Sequence, residues 1–321
     1  MKNVKELEMV ADDMKMNAAK TTESHRVSGE QNIKKILVPV DFSDGSAYIC
    51  LKAGAIAKLF KSELYLIHVV ENKGTHFIVV PESKDSSLPV NEIEMAAEDL
   101  LSELRQTIRN GVEIDTNTFV SEGSIEEEII KFSKENAIDL IIMGTHGTSG
   151  YKELFMGSNA QRVVTLSDIP VLTIGKGMSS SGFKSILMPF DNAMHSREKV
   201  TIAAQFAELF DSEVHILELP ETNDESELKQ FRIKMETVEQ LLMEKKIKFR
   251  TKIISEGNTA QAALDYAEKQ GCDLIVINTG HESKLTGFFT QHIINHSKIP
   301  VLSVKTTKES FTISTPGYGI S

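Results

Sequence analysis

The chain has 321 residues, 40% hydrophobic and 25% charged, which suits about two ordinary globular cores and excludes a chain disordered throughout. Its 35 basic residues stand against 46 acidic ones, and the formal charge of −11 disfavours a non-specific nucleic-acid binder while leaving room for a local phosphate site. The two cysteines, Cys50 and Cys272, lie too far apart for a metal-ligand motif, and no apolar run reaches the roughly 18 residues that cross a bilayer, so a cytoplasmic protein without membrane contact is expected.

Residues 1–31 interleave Lys2, Lys5, Glu6, Glu8, Asp12, Asp13 and Lys15 with apolar positions, and no export-type apolar core interrupts them. Val4, Leu7, Ala11, Met14 and Ala18 step by three and four, a single helical stripe too short to be stable alone in water. The segment reads as a helical or disordered extension that docks on the chain itself or on a protein partner, or frays.

Beyond it the chain repeats. Ile36-Leu37-Val38-Pro39-Val40-Asp41 recurs as Ile186-Leu187-Met188-Pro189-Phe190-Asp191 at an offset of 150. Ser121-Glu122-Gly123 and Asp139-Leu140-Ile141-Ile142 recur at 134, and Ile169-Pro170-Val171-Leu172 recurs as Ile299-Pro300-Val301-Leu302 at 130. The second copy is shorter after its second strand and again in the glycine-rich loop. We therefore expect one unit at 32–177, a linker at 178–183, a second unit at 184–305 and a tail at 306–321 with no periodic pattern. Gly177 and Gly182 have the spacing of a P-loop, but Phe183 follows where a lysine would stand, so the stretch reads as linker.

Within the first copy, Ile36 to Val40 is a short apolar run typical of a buried parallel strand. Ala47, Leu51, Ala55 and Leu59 mark a helical face, with Ser43 or Asp44 as N-cap. Leu64 to Val70 is a second strand. Ile93, Ala97, Leu101, Leu104 and Ile108 form a second helix, Thr118 to Val120 end a third strand, and Ile125, Ile129 and Phe132 lie on a third helix. Asp139 to Met143 and Pro170 to Ile174 complete five strands. In the second copy, Leu228, Phe231, Met235, Val238 and Leu242 mark a core-facing helix. The expected fold class is α/β: two tandem doubly wound, Rossmann-like domains, each with a five-stranded parallel sheet.

The stretch after the fourth strand, Gly144-x2-Gly147-x9-Gly157-Ser158, brings backbone N–H groups together and opens a helix whose N-terminus favours an anion. Together with Val38-Pro39-Val40-Asp41, Ile67-His68-Val69 and the repeated Ile-Pro-Val-Leu, this sequence over residues 33–305 resembles a tandem member of the universal stress protein family, of the ATP-binding type in its first repeat. The resemblance implies ATP or AMP as ligand, with magnesium arriving on the phosphates. It carries over nucleoside contact to Asp41, adenine contact to the backbone of Val69, and phosphate contact to Gly144, Gly147, Gly157 and Ser158, with Asn159 beside them. It also implies pairing of the two copies through their last strands, Val171 to Ile174 and Val301 to Val304, as an intramolecular pseudo-dimer. A stress-response sensor or regulator follows, with binding rather than chemistry as its output.

Plainer roles stand beside each assignment. Asp41 can cap a turn, Ser158 with Gln161 forms a capping box, the glycines can be turn residues, and Val69 is a core residue in any account. His68 and His146 read as structural or solvated rather than catalytic. Arg162 reaches either a phosphate or a surface acid. The second copy reads Ile277-Asn278-Thr279-Gly280-His281, with Gly287-Phe288 in place of Gly157-Ser158, so phosphate binding is not expected there, although Asp191 survives. Alternatives are a slow ATPase, disfavoured by the missing Walker lysine and carboxylate pair, and a nucleotide-independent scaffold using Phe288, Phe289 and the N-terminal stripe. A homo-oligomer is left open.

Overall fold

The computed structural model describes residues 33–43, 45–71, 90–145, 156–175, 182–190, 197–220, 224–255, 258–280 and 284–306. The N-terminal stripe, His146, Gly147, Asp191, His281 and the tail from residue 307 lie outside the described residues. In the first half, strands β1 (Lys35–Pro39), β2 (Glu63–Val70), β3 (Thr116–Glu122), β4 (Leu140–Gly144) and β5 (Val171–Ile174) alternate with helices. These are α1 (Ser46–Phe60), α2 (Val90–Val112), α3 (Ile125–Glu135) and α4 (Ser158–Leu166). The second half repeats the order with β6 (Ser185–Phe190), α5 (Arg197–Phe210), β7 (Glu213–Glu218), α6 (Glu225–Glu244), β8 (Lys248–Ile253), α7 (Thr259–Gln270), β9 (Leu274–Thr279), α8 (Lys284–His296) and β10 (Val301–Lys305).

All ten strands join one sheet in the order β3-β2-β1-β4-β5-β10-β9-β6-β7-β8. Each half is parallel and doubly wound, because a right-handed crossover sends successive helices to the face that the strand order dictates. Strand side chains alternate between two cores. Ile36, Val38, Leu64 and Leu66 pack with α1, α2, α5 and α6, whereas Leu37, Ile67, Ile141 and Met143 pack with α3, α4, α7 and α8. The first core runs unbroken through both halves, and the Phe60 ring of α1 meets Phe206 of α5 edge-on at 5.3 Å. Phe183 is buried there against Phe206 and Phe210.

The halves meet where the family resemblance implied, at their last strands. β5 and β10 pair antiparallel, with Val301 opposite Thr173, Leu302 opposite Leu172 and Ser303 opposite Val171. The Thr173 hydroxyl donates to the Val301 carbonyl at 3.2 Å. At the end of the seam, Lys305 of the second half reaches Asp168 of the first at 2.6 Å, and Lys134 approaches the same carboxyl at 3.1 Å. Hydrogen bonds from these two lysines hold the Asp168 carboxyl below the usual carboxylate range.

Two local expectations for α1 need correction. Its N-cap is Gly45, not Ser43 or Asp44, because the Asp41 carboxylate captures the groups just before the helix and delays its start. The expected stripe holds only in part: Leu51 is deeply buried, but Ala47, Ala55 and Leu59 are only half-buried, and Ile49, Ala53, Ile56, Ala57 and Phe60 are buried beside it. The helix is apolar almost all round, so a four-residue step alone does not choose its inner face. The expected faces of α2 and α6 hold, with Leu101, Ile108, Met235 and Leu242 buried, although Leu228 lies at the exposed margin of α6.

The seam owes its strength to apolar pairing more than to its surface charges. Leu302→Ala should cost about 3 kcal/mol in urea unfolding, whereas Lys305→Ala, at a partly exposed ion pair, should cost less than about 1 kcal/mol.

Candidate functional site

β1 and β4 are sheet neighbours, Ile36 lying opposite Leu140 and Leu37 opposite Ile141. The chain leaves β1 into α1 on one face and β4 into α4 on the other, which opens a crevice between the two strand ends. Asp41 stands at one side of this crevice and Thr145 and Gly157 at the other. The sheet thus brings together Asp41, Val69, Gly144, Gly157, Ser158 and Asn159, which lie 118 positions apart at the extremes of the sequence. Gly147 belongs to the undescribed part of the loop.

Asp41 does perform the plain turn role, but with one oxygen. Its Oδ1 accepts from the Ser43 N–H at 3.0 Å and from the buried Ser46 hydroxyl at 2.5 Å. Among the described residues both bonds fall on Oδ1, which leaves Oδ2 for an incoming donor on this exposed side chain. Ser43, two residues after the aspartate, carries the usual signal for such a turn, whereas sequence reasoning missed Ser46, five residues on, whose hydroxyl reaches the same oxygen.

On the α4 side, the Gly157 N–H donates to the Thr145 carbonyl at 2.7 Å, and the Thr145 N–H donates to Ile174 at 3.1 Å. The helix therefore starts against the end of β4. The expected capping box is not formed: Gly157 is the N-cap and has no side chain to cap with, and Ser158 is the first helical residue. Ser158 has already entered the helix, where its hydroxyl cannot fold back onto the first turn. The N–H groups of Ser158, Asn159 and Ala160 have no acceptor within the helix, and with the helix dipole they form a site suited to an anion. Gly157 has an extended backbone, φ −59° and ψ 147°, so a left-handed turn does not explain this glycine. Arg162 pairs with Glu126 at 3.1 Å on the surface, the plainer of its two readings.

β2 supplies the floor. Val69 is a buried core residue, and its side chain joins the second core. His68 holds the Val40 carbonyl through Nδ1 at 2.8 Å, and its ring lies 4.5 Å from that of Phe42. Since a carbonyl only accepts, Nδ1 carries the hydrogen and Nε2 the lone pair. Phe42 sits in the left-handed region at φ 54°, an uncommon place for a bulky residue, and the ring contact offsets part of that strain. Burial lowers the His68 pKa, opposed in part by the bond to Val40 and the charge of Asp41.

The second half has the same crevice, with β6 beside β9, but its parts close on one another. Asn278, which aligns with Gly144, sends its amide to Thr306 Oγ1 at 3.1 Å and to the Val304 carbonyl at 3.4 Å. The Thr306 N–H donates to the Thr279 carbonyl at 2.7 Å, and the Thr290 hydroxyl donates to the Asn278 carbonyl at 2.9 Å. α8 begins at Lys284, before the position that matches Ser158. Gly287-Phe288 therefore does not open a helix as Gly157-Ser158 does; Phe288 lies inside α8, 73% exposed, while Phe289 packs partly against the second core.

The profile of the Universal stress protein family matches residues 32–175 and again residues 182–305. The chain belongs to this family. A universal stress protein of Methanocaldococcus jannaschii is 33% identical over 150 residues, which cover 46% of this chain and 86% of the relative. One of Bacillus subtilis is 31% identical over 147 residues, 44% of this chain and 97% of the relative. Such single-unit relatives match about half of this tandem universal stress protein. The crystal structure of a universal stress protein from Archaeoglobus fulgidus spans the double unit, covering 86% of this chain and 99% of its own with a TM-score of 0.69; at 22% identity it supports the fold. Among the described residues of this universal stress protein, no helix is long and apolar enough to cross a membrane.

Because the folded state holds the His68 pKa down, the unfolded chain takes up the proton first on acidification. The advantage of wild type over His68→Leu in unfolding free energy should therefore be full above about pH 6.5 and shrink below it, and an NMR titration should place the His68 midpoint under that value.

Proposed function

We propose that the first half of this universal stress protein binds an adenine nucleotide, ATP or AMP, and that the second half is a structural copy without a phosphate site. The observation that carries this reading is the contrast between the two crevices. In the first, Asp41 offers one oxygen across from the N-terminus of α4, which among the described residues has a glycine rather than a side chain as its cap. In the second, Asn278, Thr290 and Thr306 use the corresponding positions for bonds within the protein. The residues fit the ligand by chemistry: a carboxylate oxygen accepts from the ribose hydroxyls, and helix N–H groups meet the phosphates.

Gly144, Gly147, Gly157, Ser158 and Asn159 form the phosphate side of this site, and Asp41 with the Val69 backbone forms the nucleoside side. Among the described residues no group of three or more His, Cys, Asp or Glu is placed to hold a metal, so magnesium would enter with the phosphates. The output is state-dependent binding, a sensor or regulator in the stress response, with bound and empty forms differing at the crevice.

Titration calorimetry tests this directly. Wild type should bind ATP. Asp41→Ala should weaken binding about tenfold or more, the scale of a lost bond to a charged group, and Asp191→Ala should leave it unchanged. Equal losses from the two substitutions would contradict the assignment to the first half.

A further inference from the structure

The two halves differ by one rung of the ladder between their first two strands. In the second half, the Phe190 N–H faces β7, and the Leu219 N–H returns to the Phe190 carbonyl at 2.7 Å, so β6 runs through Phe190. In the first half, the matching Val40 N–H donates to the Ile67 carbonyl at 2.8 Å, but the return bond from Val69 to the Val40 carbonyl is not made, and β1 stops at Pro39. The Val40 carbonyl is taken instead by His68 Nδ1, at 2.8 Å. The residue at the His68 position in the second half is Glu218, whose carboxylate has no hydrogen to donate to a carbonyl. The ring of Phe42 packs on His68 and fixes the imidazole in place.

Peptide groups along a strand alternate in direction. Ile67 faces β1, and so does Val69, two residues on; the Val70 carbonyl faces the other way and receives the Gly123 N–H at 3.0 Å. The N–H and C=O of Val69 thus point past the end of β1 toward the crevice, where among the described residues neither finds a strand partner.

We propose that His68 is a positioning residue: by holding the Val40 carbonyl, it keeps the last rung open and leaves the Val69 peptide to read the base. A donor N–H beside an acceptor C=O matches the adenine edge, where a ring nitrogen accepts and the exocyclic amine donates. It mismatches the guanine edge, where a ring N–H donates and an oxygen accepts. The base-reading part rests on the nucleotide-binding reading above; the open rung does not.

Amide hydrogen exchange on the full-length, ligand-free protein separates the two. The Val69 N–H should exchange at least about tenfold faster than the Leu219 N–H, as an amide outside the ladder does. In His68→Leu it should gain protection as the rung closes. Protection of Val69 in wild type already overturns the proposal, even if the variant does not fold. So does a folded His68→Leu in which exchange at Val69 is unchanged. ATP and GTP titrations then test the base. Wild type should prefer ATP, and His68→Leu should lose that preference while its affinity for inorganic triphosphate stays within twofold. Fast exchange at Val69 with equal binding of ATP and GTP by wild type would overturn base reading. No binding of either nucleotide would overturn the nucleotide reading, with the open rung standing on its exchange result.

Discussion

A doubly wound five-stranded sheet ends in a strand with one unpaired side, and an exposed edge of N–H and C=O groups invites association. In this chain the two such edges, β5 and β10, satisfy each other in antiparallel register. Everything else follows from that pairing. It converts two sheets into one, makes the two halves antiparallel about the seam, and lets the first core continue from α1 to α5 through Phe60 and Phe206. It also points the two crevices in opposite directions, so that each half can change its crevice without disturbing the other.

The second half shows what such freedom permits. Its strands and helices keep the order and register of the first, because those depend on apolar alternation that few substitutions disturb. Its crevice, by contrast, is crossed by short bonds from Asn278, Thr290 and Thr306. A side-chain amide replaces a glycine, a helix starts earlier, and one ladder rung closes. Phe190 and Leu219, which make the closed rung, keep their places in the two cores. The first half retains the opposite set: a carboxylate with one oxygen engaged, a helix start with glycine as its cap and an open rung. Keeping backbone groups unsatisfied at a crevice has a cost, and one half can bear it while the other adds stability.

The sequence was most legible where periodicity carries the information. The buried runs at Ile36 to Val38, Leu64 to Ile67 and Leu140 to Ile142 announced the parallel sheet, while the seam between the last strands came from the family resemblance. The candidate site residues were carried over by the family resemblance, since a spaced glycine loop and an aspartate at a strand end each have a plain turn role as well. What escaped was hydrogen-bond direction. No pattern in the letters shows that Asp41 uses a single oxygen, that Ser158 lies inside the helix rather than at its cap, or that α8 starts at Lys284. The role of His68 was hidden for the same reason: whether a strand histidine takes a carbonyl or leaves it to the ladder depends on where the neighbouring strand turns. For α1, a helix apolar on nearly every side, four-residue spacing could not choose the inner face.

The central claim is that this duplicated universal stress protein has one nucleotide site, in its first half. The most direct measurement is equilibrium dialysis of the full-length chain against labelled ATP at saturation, with bound nucleotide counted per chain. One ATP per chain is the predicted result. Two per chain would contradict the closure of the second crevice, and none would contradict the nucleotide site itself.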